Sequence, residues 1–254
     1  MTIKSTILCC TALAFILCPL AAEDKPASTK KVSQAHKIID RMVEALGGEK
    51  AIKKIKTRVT SGEMTMTAQG ITLKMHVSQK APNKVTVTQE IPGIMTAKQG
   101  FDGEKGWAQD PLQGSRQIEG DELEQLKRES NITREITLKQ EYPTMEVLPE
   151  ETKGDQTFQV IKATSADNRI ETWHFDKKTG LLAKLQQKMS FGASGELDVT
   201  LVPTDYREVD GIKIPFVTEM KSAAIQGVMT FAKVKHNVEL DDKMFAEPVE
   251  EDEE

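Results

Sequence analysis

Apolar and polar residues alternate through the first half of the chain, which is the pattern of β-strands with one buried face. The apolar positions on successive predicted strands are Met64 and Met66, then Ile71, Leu73, Met75 and Val77, then Val85, Val87 and Ile91. Turn residues separate these strands at 69–70, 82–83, 92–93 and 102–103. The pattern predicts an antiparallel meander of at least four strands with one face in water.

The same alternation resumes in the second half of the chain. It predicts six further strands, at 157–163, 169–175, 181–189, 197–201, 212–220 and 227–234. A sheet of about ten strands tends to curl rather than remain flat. We therefore expect an α+β fold, mainly β, built on one large curled antiparallel sheet.

Two segments have helical rather than strand spacing. From Ser33 to Leu46 apolar residues recur every three or four positions, and Gly47-Gly48 ends the pattern. A second, shorter segment around 118–128 carries a narrow apolar stripe that contains Leu123 and Leu126. We expect the second helix to lie across the sheet.

The N-terminus has the layout of an export signal. Lys4 precedes an apolar run from Ile7 to Leu17, and small residues at Ala21 and Ala22 suit cleavage near Ala22. We expect a signal peptide at 1–22, a polar linker at 23–32 and a periplasmic mature protein. A lipid-anchored outer-membrane form is the less favoured alternative, since a lipoprotein signal requires a small residue before the modified cysteine and Leu17 precedes Cys18.

All three cysteines, Cys9, Cys10 and Cys18, lie within that leader. A mature chain cleaved near Ala22 therefore has no disulfide, no catalytic thiol and no cysteine metal site, and its stability must come from its core. The formal net charge is −5 with no block of basic residues, which argues against a nucleic-acid partner. The acidic end at 249–254 is interpreted as a solvated tail, and we expect a monomer.

Several short strings, in their order along the chain, carry a family resemblance. They are Glu44 to Gly48, Lys80 to Lys84, Gly100 to Trp107, Asp110-Pro111 and Asp205 to Phe216. Together they resemble the exported outer-membrane lipoprotein-sorting, or LolA/LolB-like, family over residues 33–248. The resemblance implies an incomplete antiparallel β-barrel with an apolar cavity that holds the acyl chains of lipoproteins or other lipids. In such a fold the first helix would cover one side of the barrel and the second would cover its mouth. The resemblance also implies envelope transport proteins as partners.

Under that resemblance, apolar side chains on the strands and on the short helix are candidates for the cavity wall. They are Met64, Met66, Leu73, Met75, Val85, Val87, Met95, Phe101, Trp107, Leu123, Leu126, Phe216 and Met229. Flexible methionine side chains tolerate variable apolar ligands, although methionines on strands also serve simply to fill a core.

One position departs from the family pattern. The LolA-type carriers have an arginine directly before the proline of the basic-Pro-Asn turn, and that arginine holds the helical lid closed; this chain has Ala81 there. Arg58 shares its strand phase with Met64 and Met66, so it is our candidate for a polar contact with the lid.

The sequence favours a binding protein over an enzyme. His174 and Asp176 are two residues apart on a predicted strand, a spacing that suits acid–base catalysis, but no nucleophile or third metal ligand accompanies them. We predict no catalytic residues, no metal and no cofactor. The alternatives to a lipid carrier are an envelope protein-interaction module with a filled barrel core and, less favoured, a hydrolase that uses His174.

Overall fold

The computed structural model describes residues 27–111, 114–191 and 195–248. The predicted signal peptide at 1–22, the first part of the predicted linker and the acidic tail at 249–254 lie outside the described residues. Within the described ranges, no helix has the length and apolar character needed to cross a membrane.

A single antiparallel sheet of thirteen strands dominates the described part of the chain. The strands are β1 Thr57–Met66, β2 Ile71–Lys80, β3 Lys84–Ile91, β4 Met95–Phe101, β5 Gly106–Asp110, β6 Gly114–Ile118, β7 Thr144–Lys153, β8 Gln156–Thr164, β9 Ile170–Asp176, β10 Leu182–Ser190, β11 Glu196–Val209, β12 Ile212–Lys221 and β13 Gln226–His236. Their order across the sheet is β6-β5-β4-β3-β2-β1-β13-β12-β11-β10-β9-β8-β7. The sheet is not closed, since β6 and β7 are its two edges, which confirms the predicted class of fold.

The sequence pattern missed three of these strands. β5 and β6 have five residues each, which is too short for alternation to be recognised. β7 contains Pro149 and a row of exposed acidic residues, as edge strands often do, and its apolar alternation is therefore weak. The predicted number of about ten strands was too low for these reasons.

Four α-helices and one 3-10 helix accompany the sheet in the described residues. They are α1 Ala27–Leu46, α2 Glu49–Ile52, α3 Gly120–Ser130, α4 Arg134–Glu141 and a 3-10 helix at Asp242–Phe245. α1 begins six residues before the predicted start at Ser33 and so includes part of the predicted linker. It ends at Leu46 and is followed by Gly47, which has a φ of 124° and lies so close to Gly211 that a Cβ would be 2.1 Å from the Gly211 carbonyl oxygen.

The pairing register assigns each side chain to one face of the sheet, since residues directly opposite on antiparallel strands point to the same side. Met64 on β1, for example, lies opposite Leu73 on β2 and Met229 on β13. The same reasoning places Val85 opposite both Gln79 and Phe101. We call the side that carries these residues the inner face, because α1, α3 and α4 all pack against it.

Two separate apolar cores lie on the inner face. In the larger core, α1 side chains such as Ile39 and Met42 pack with Trp173 and Phe175 of β9. In the smaller core, Leu126 of α3 packs with residues of β3 to β6, including Val85 and Phe101. Burial of these side chains is the main stabilising contribution to the fold. Between the two cores, the central strands carry inner-face side chains that are only partly covered.

Candidate functional site

Five apolar side chains on the three central strands form one continuous patch on the inner face. Met64 and Met66 come from β1, Leu73 and Met75 from β2, and Met229 from β13. All five are half-buried, whereas large apolar residues in the two cores are nearly inaccessible. We call these five residues the apolar strip.

Glycines leave room for the strip. A Cβ at Gly227, which lies opposite Met66, would be 2.8 Å from the terminal methyl carbon of Met64. Gly62 lies between Arg58 and Met64 on the inner face of β1, where a β-bulge brings the Thr230 carbonyl oxygen within 2.2 Å of a Cβ position. The sheet therefore carries no side chain at two positions beside the strip, Gly62 and Gly227, and the Met64 side chain extends over Gly227.

Helix α3 crosses the inner face from the β6 edge to β10. The guanidinium of Arg116 on β6 donates two hydrogen bonds to Glu122 of α3, at 2.8 and 2.7 Å. Further along, the Gln79 side chain on β2 donates to the Glu129 carbonyl oxygen at 2.7 Å. The Ser190 amide on β10 donates to Gln125 at 2.7 Å. α3 therefore joins strands from both halves of the sheet across the mouth of the open barrel.

The apolar stripe of α3 rests on the smaller core. Leu126 is buried there, and Leu123 packs so closely on β5 that a Cβ at Gly106 would lie 2.8 Å from its Cδ1. Val85, Val87 and Phe101 lie in the same core. These five candidate residues lie close together. They form the packed surface on which α3 rests, and this surface lies beside the apolar strip.

The remaining candidates lie in different surroundings. Phe216 is buried in the larger core, and the Arg207 guanidinium carbon lies 4.5 Å from the centre of its ring. Met95 is half-buried at the far end of β4, opposite Ile91.

The assignment of Trp107 to the cavity wall was wrong. Trp107 lies opposite Gly100, one position out of phase with Phe101, so its indole is on the outer face. There the 3-10 helix covers it, and its Nε1 donates to the Phe245 carbonyl oxygen at 2.8 Å. Trp107 therefore anchors the C-terminal segment and does not face the strip.

Arg58 lies at the opposite end of the inner face from the strip, between Gln79 and His236 in the register. Its Nε donates to His236 Nε2 at 3.1 Å, and the other ring nitrogen of His236 lies 3.1 Å from an Asp210 oxygen. Burial lowers the pKa of Arg58, an effect that Glu135 on α4 partly opposes.

Glu129 lies in the last turns of α3, and its side chain is exposed by surface area. The surrounding protein nonetheless desolvates its carboxyl and raises the pKa of that group above the usual range. Gln125 of the same helix donates a hydrogen bond to this carboxylate at 3.0 Å.

A buried ionic cluster links α4 to β9 within the larger core. Glu171 is fully buried and accepts hydrogen bonds from Arg134 at 3.1 Å, from Trp173 Nε1 at 2.8 Å and from the Tyr142 hydroxyl. Arg169 lies 3.5 Å from the same carboxylate. Because each charge has an opposite partner, the cluster is fully engaged in holding the two elements together. Sequence patterns gave no sign of it, since its members come from distant segments.

The residues considered for catalysis do not form a site. His174 is buried on the outer face with Nε2 3.1 Å from Gln186, and Asp176 accepts hydrogen bonds from the backbone amides of Lys178 and Thr179 in the following turn. Burial lowers the pKa of His174. Across the residues that the structure describes, no group of three or more metal-ligating side chains comes together.

An open, curled antiparallel sheet with helices on its inner face defines this protein as a mainly β, half-barrel protein. Solved structures with the same architecture include a LolA superfamily protein from Nitrosomonas europaea, with a TM-score of 0.58 and 16% identity over 84% of this chain and 97% of that one. A DUF1329 family protein from Desulfovibrio piger has a TM-score of 0.60 and 12% identity, over 85% of this chain and 97% of that one. A proposed outer membrane lipoprotein-sorting protein domain from Vibrio parahaemolyticus has a TM-score of 0.57 and 14% identity, over 86% of this chain and 97% of that one.

These similarities establish that the fold is LolA-like. No protein-family model and no curated protein sequence matches the chain. At such low identity the shared property is the fold, so function has to be argued from the inner face itself.

Proposed function

We propose that this protein is a non-enzymatic, exported carrier that holds an acyl chain of a lipid or lipoprotein on its inner face. The observation that carries the proposal is the apolar strip: five adjacent apolar side chains on a concave face remain half-buried beside two fully packed cores. The LolA-like fold supports the proposal, as does the export signal predicted from the sequence.

The energetics suit a long acyl chain. Transfer of a methylene group out of water contributes about 0.8 kcal/mol, so a chain lying along the strip gains affinity without any polar contact. Four of the five residues of the strip are methionines, whose unbranched side chains adjust to apolar ligands of different shape. The partial exposure of the strip supplies the apolar surface that such a ligand would cover.

Helix α3 would act as the cover of the bound chain. Leu123 and Leu126 of this helix are packed on the smaller core, and the exposed Glu129 lies outside that core. An acyl chain entering beside the strip would lie between the central strands and this helix. The carrier would then shield the chain while it crosses the periplasm between envelope transport proteins.

The alternative of an interaction module with a filled core is less well supported. A filled core requires inner-face side chains as fully buried as those of the two cores. The five side chains of the apolar strip are only half-buried. Strand addition at a sheet edge is also disfavoured. β7 has Pro149, a bulge between Leu148 and Glu151 and several acidic side chains, and β6 is only five residues long.

The proposal is tested by binding of a fluorescent long-chain acyl probe to the purified mature protein. Leu73→Asp places a carboxylate in the strip, and Thr72→Asp places one on the adjacent outer-face position of the same strand. We expect the wild type and Thr72→Asp to bind the probe alike, and Leu73→Asp to bind it at least about tenfold more weakly, because a carboxylate is costly to desolvate. No probe binding by the folded wild type, or equal binding by all three, would contradict the proposal.

A further inference from the structure

Arg58 is the feature of the inner face that acyl-chain binding does not explain. Its Nε is bonded to His236, but among the described residues no carboxylate lies within ion-pair distance of its guanidinium. A half-buried arginine without a paired anion is unusual, because a desolvated charge is normally compensated.

Arg134 of α4 and Arg169, which directly precedes β9, are also desolvated, and both are paired with carboxylates. Arg134 is paired with Glu171 and Glu141 at 3.1 Å, and Arg169 with Asp167 at 3.3 Å. Within the described ranges of the chain, the acidic group that affects the pKa of Arg58 is Glu135, which lies beyond ion-pair distance. The two terminal NH₂ groups of Arg58 therefore remain available to a ligand.

The partner of Arg58 keeps that positive charge uncompensated. His236 Nδ1 is 3.1 Å from the Asp210 carboxylate, so this nitrogen donates and Nε2 accepts from Arg58. Burial, and next the charge of Arg58, lower the pKa of His236, which keeps the ring neutral. The contact with His236 orients the Arg58 guanidinium but does not neutralise its positive charge, so an anionic group can still pair with it.

Arg58 and the strip lie on one line along the inner face of β1. The residues of that line are Arg58, Thr60, Gly62, Met64 and Met66. At about 3.3 Å per residue, Arg58 is about 20 Å from Met64 along the strand. One end of the line is therefore cationic, the other end is apolar, and Gly62 between them has no side chain.

We infer that the ligand is an anionic amphiphile, whose carboxylate or phosphate head binds the Arg58 guanidinium and whose acyl chain lies along the strip. This inference rests on the proposed function, because it names the head group of a ligand whose chain that function already places. A guanidinium offers two parallel N–H donors to a carboxylate or phosphate, and such charge-assisted pairs are stronger than neutral hydrogen bonds. Binding would supply the missing anion, and Arg58 would select among lipids that share the same chain.

The test compares three single-chain ligands with the same palmitoyl group by displacement of the fluorescent acyl probe, below their micellar concentrations. They are palmitate, palmitoyl lysophosphatidate and the neutral monopalmitoylglycerol. The proteins are the wild type, Arg58→Gln, the charge-retaining Arg58→Lys and Arg41→Gln, which changes an exposed arginine on α1. Urea unfolding of each variant verifies that it is folded.

We expect the wild type to bind at least one of the acidic ligands about tenfold or more tightly than the neutral one. Which acid is preferred identifies the head as carboxylate or phosphate. Arg58→Gln should lose this preference while it still binds monopalmitoylglycerol, Arg58→Lys should retain part of it, and Arg41→Gln all of it.

The other results separate the two proposals. Equal binding of acidic and neutral ligands by the wild type, or a preference that survives in Arg58→Gln, would overturn the role of Arg58 and leave the acyl carrier in place. Binding of none of the three ligands, with no uptake of the probe, would overturn both. If Arg58→Gln does not fold, a reduced preference in the folded Arg58→Lys supports the contact between Arg58 and the head group, and an undiminished preference contradicts it.

Discussion

Arg134 on α4 donates through Nη2 to the fully buried carboxylate of Glu171 on β9, with 3.1 Å between nitrogen and oxygen. Burial alone would raise the pKa of Glu171, but the charge of Arg134, with hydrogen bonds from Tyr142 and Trp173, outweighs it and holds the pKa below its usual range. This contact fixes the short α4 to the half of the sheet that α1 also covers.

Glu171→Gln should strongly destabilise the protein. It removes the charge that compensates Arg134 and Arg169 in the core, and loss of one partner of a buried ionic pair costs about 3–5 kcal/mol. The free energy of unfolding in urea measures the effect. Glu150→Gln is the control, because its exposed pair with Lys177 should contribute no more than about 1 kcal/mol. Equal stability of Glu171→Gln and the wild type would contradict the assigned role.

The stabilisation by Glu171 should also be lost in acid. Its folded pKa is lower than the unfolded value of 4.5, so its contribution is present above pH 4.5 and disappears as the pH falls through the folded pKa. In urea unfolding, the free energy of unfolding of the wild type should fall more steeply with decreasing pH in this range than that of Glu171→Gln. Parallel pH profiles of the two proteins would indicate that another group is responsible.

Both tyrosines of the chain should ionise late. Burial raises the pKa of Tyr142 to about 12 and also raises the pKa of Tyr206 well above the ordinary tyrosine value of 10.0. Since the folded pKa is raised, the neutral phenols stabilise the fold below pH 10 and this contribution is lost as the pH rises toward 12. Phenolate absorbance should stay low at pH 10 in the native protein and reach its midpoint near there in urea. Normal native titration would contradict the burial of both hydroxyls.

The C-terminal segment should be required for stability. Phe245 is fully buried against the outer face, and its carbonyl oxygen accepts from Trp107. Phe245→Ala should cost about 3–5 kcal/mol and shift Trp107 fluorescence to longer wavelength as water reaches the indole. Met244→Ala, at the exposed neighbouring position, is the control and should change both quantities little. A stable variant with unshifted fluorescence would show that the segment is dispensable.

Leu126 should control how tightly α3 covers the inner face. Leu126→Ala removes the buried contact of this helix with the smaller core and should lower stability by about 2–4 kcal/mol. If α3 is the cover of a bound chain, the acyl probe should also dissociate faster from this variant in stopped-flow measurements. Glu124→Ala, exposed on the same helix, should leave the dissociation rate unchanged. Equal rates in both variants and the wild type would argue against a covering role.

The sequence was most informative where alternation is long and regular. Strands β1 to β4 and β8 to β13 follow from it, because a half-buried antiparallel strand needs apolar residues on one side only. The pattern is weak in the five-residue strands and in edge strand β7. α4 was missed because only Leu138 of its eight residues is buried, so it has almost no apolar stripe.

The candidate site was harder to predict for two physical reasons. Strand phase cannot be carried through a turn: residues 102–105 separate Phe101 from Trp107, and the two side chains lie on opposite faces. Contacts distant in sequence also leave no local pattern. Arg58 and His236 are 178 residues apart, so the contact that orients the guanidinium was visible only in the structure.

The central claim, that an acyl chain occupies the inner face, is tested most directly by native mass spectrometry. The mature protein is purified gently from the envelope fraction of its own cells, and bound species are then extracted and identified. We predict a discrete adduct that carries an acyl chain and is lost in Leu73→Asp. A clean ligand-free mass, unchanged after incubation with lipoprotein or phospholipid, would contradict the account and favour the interaction module.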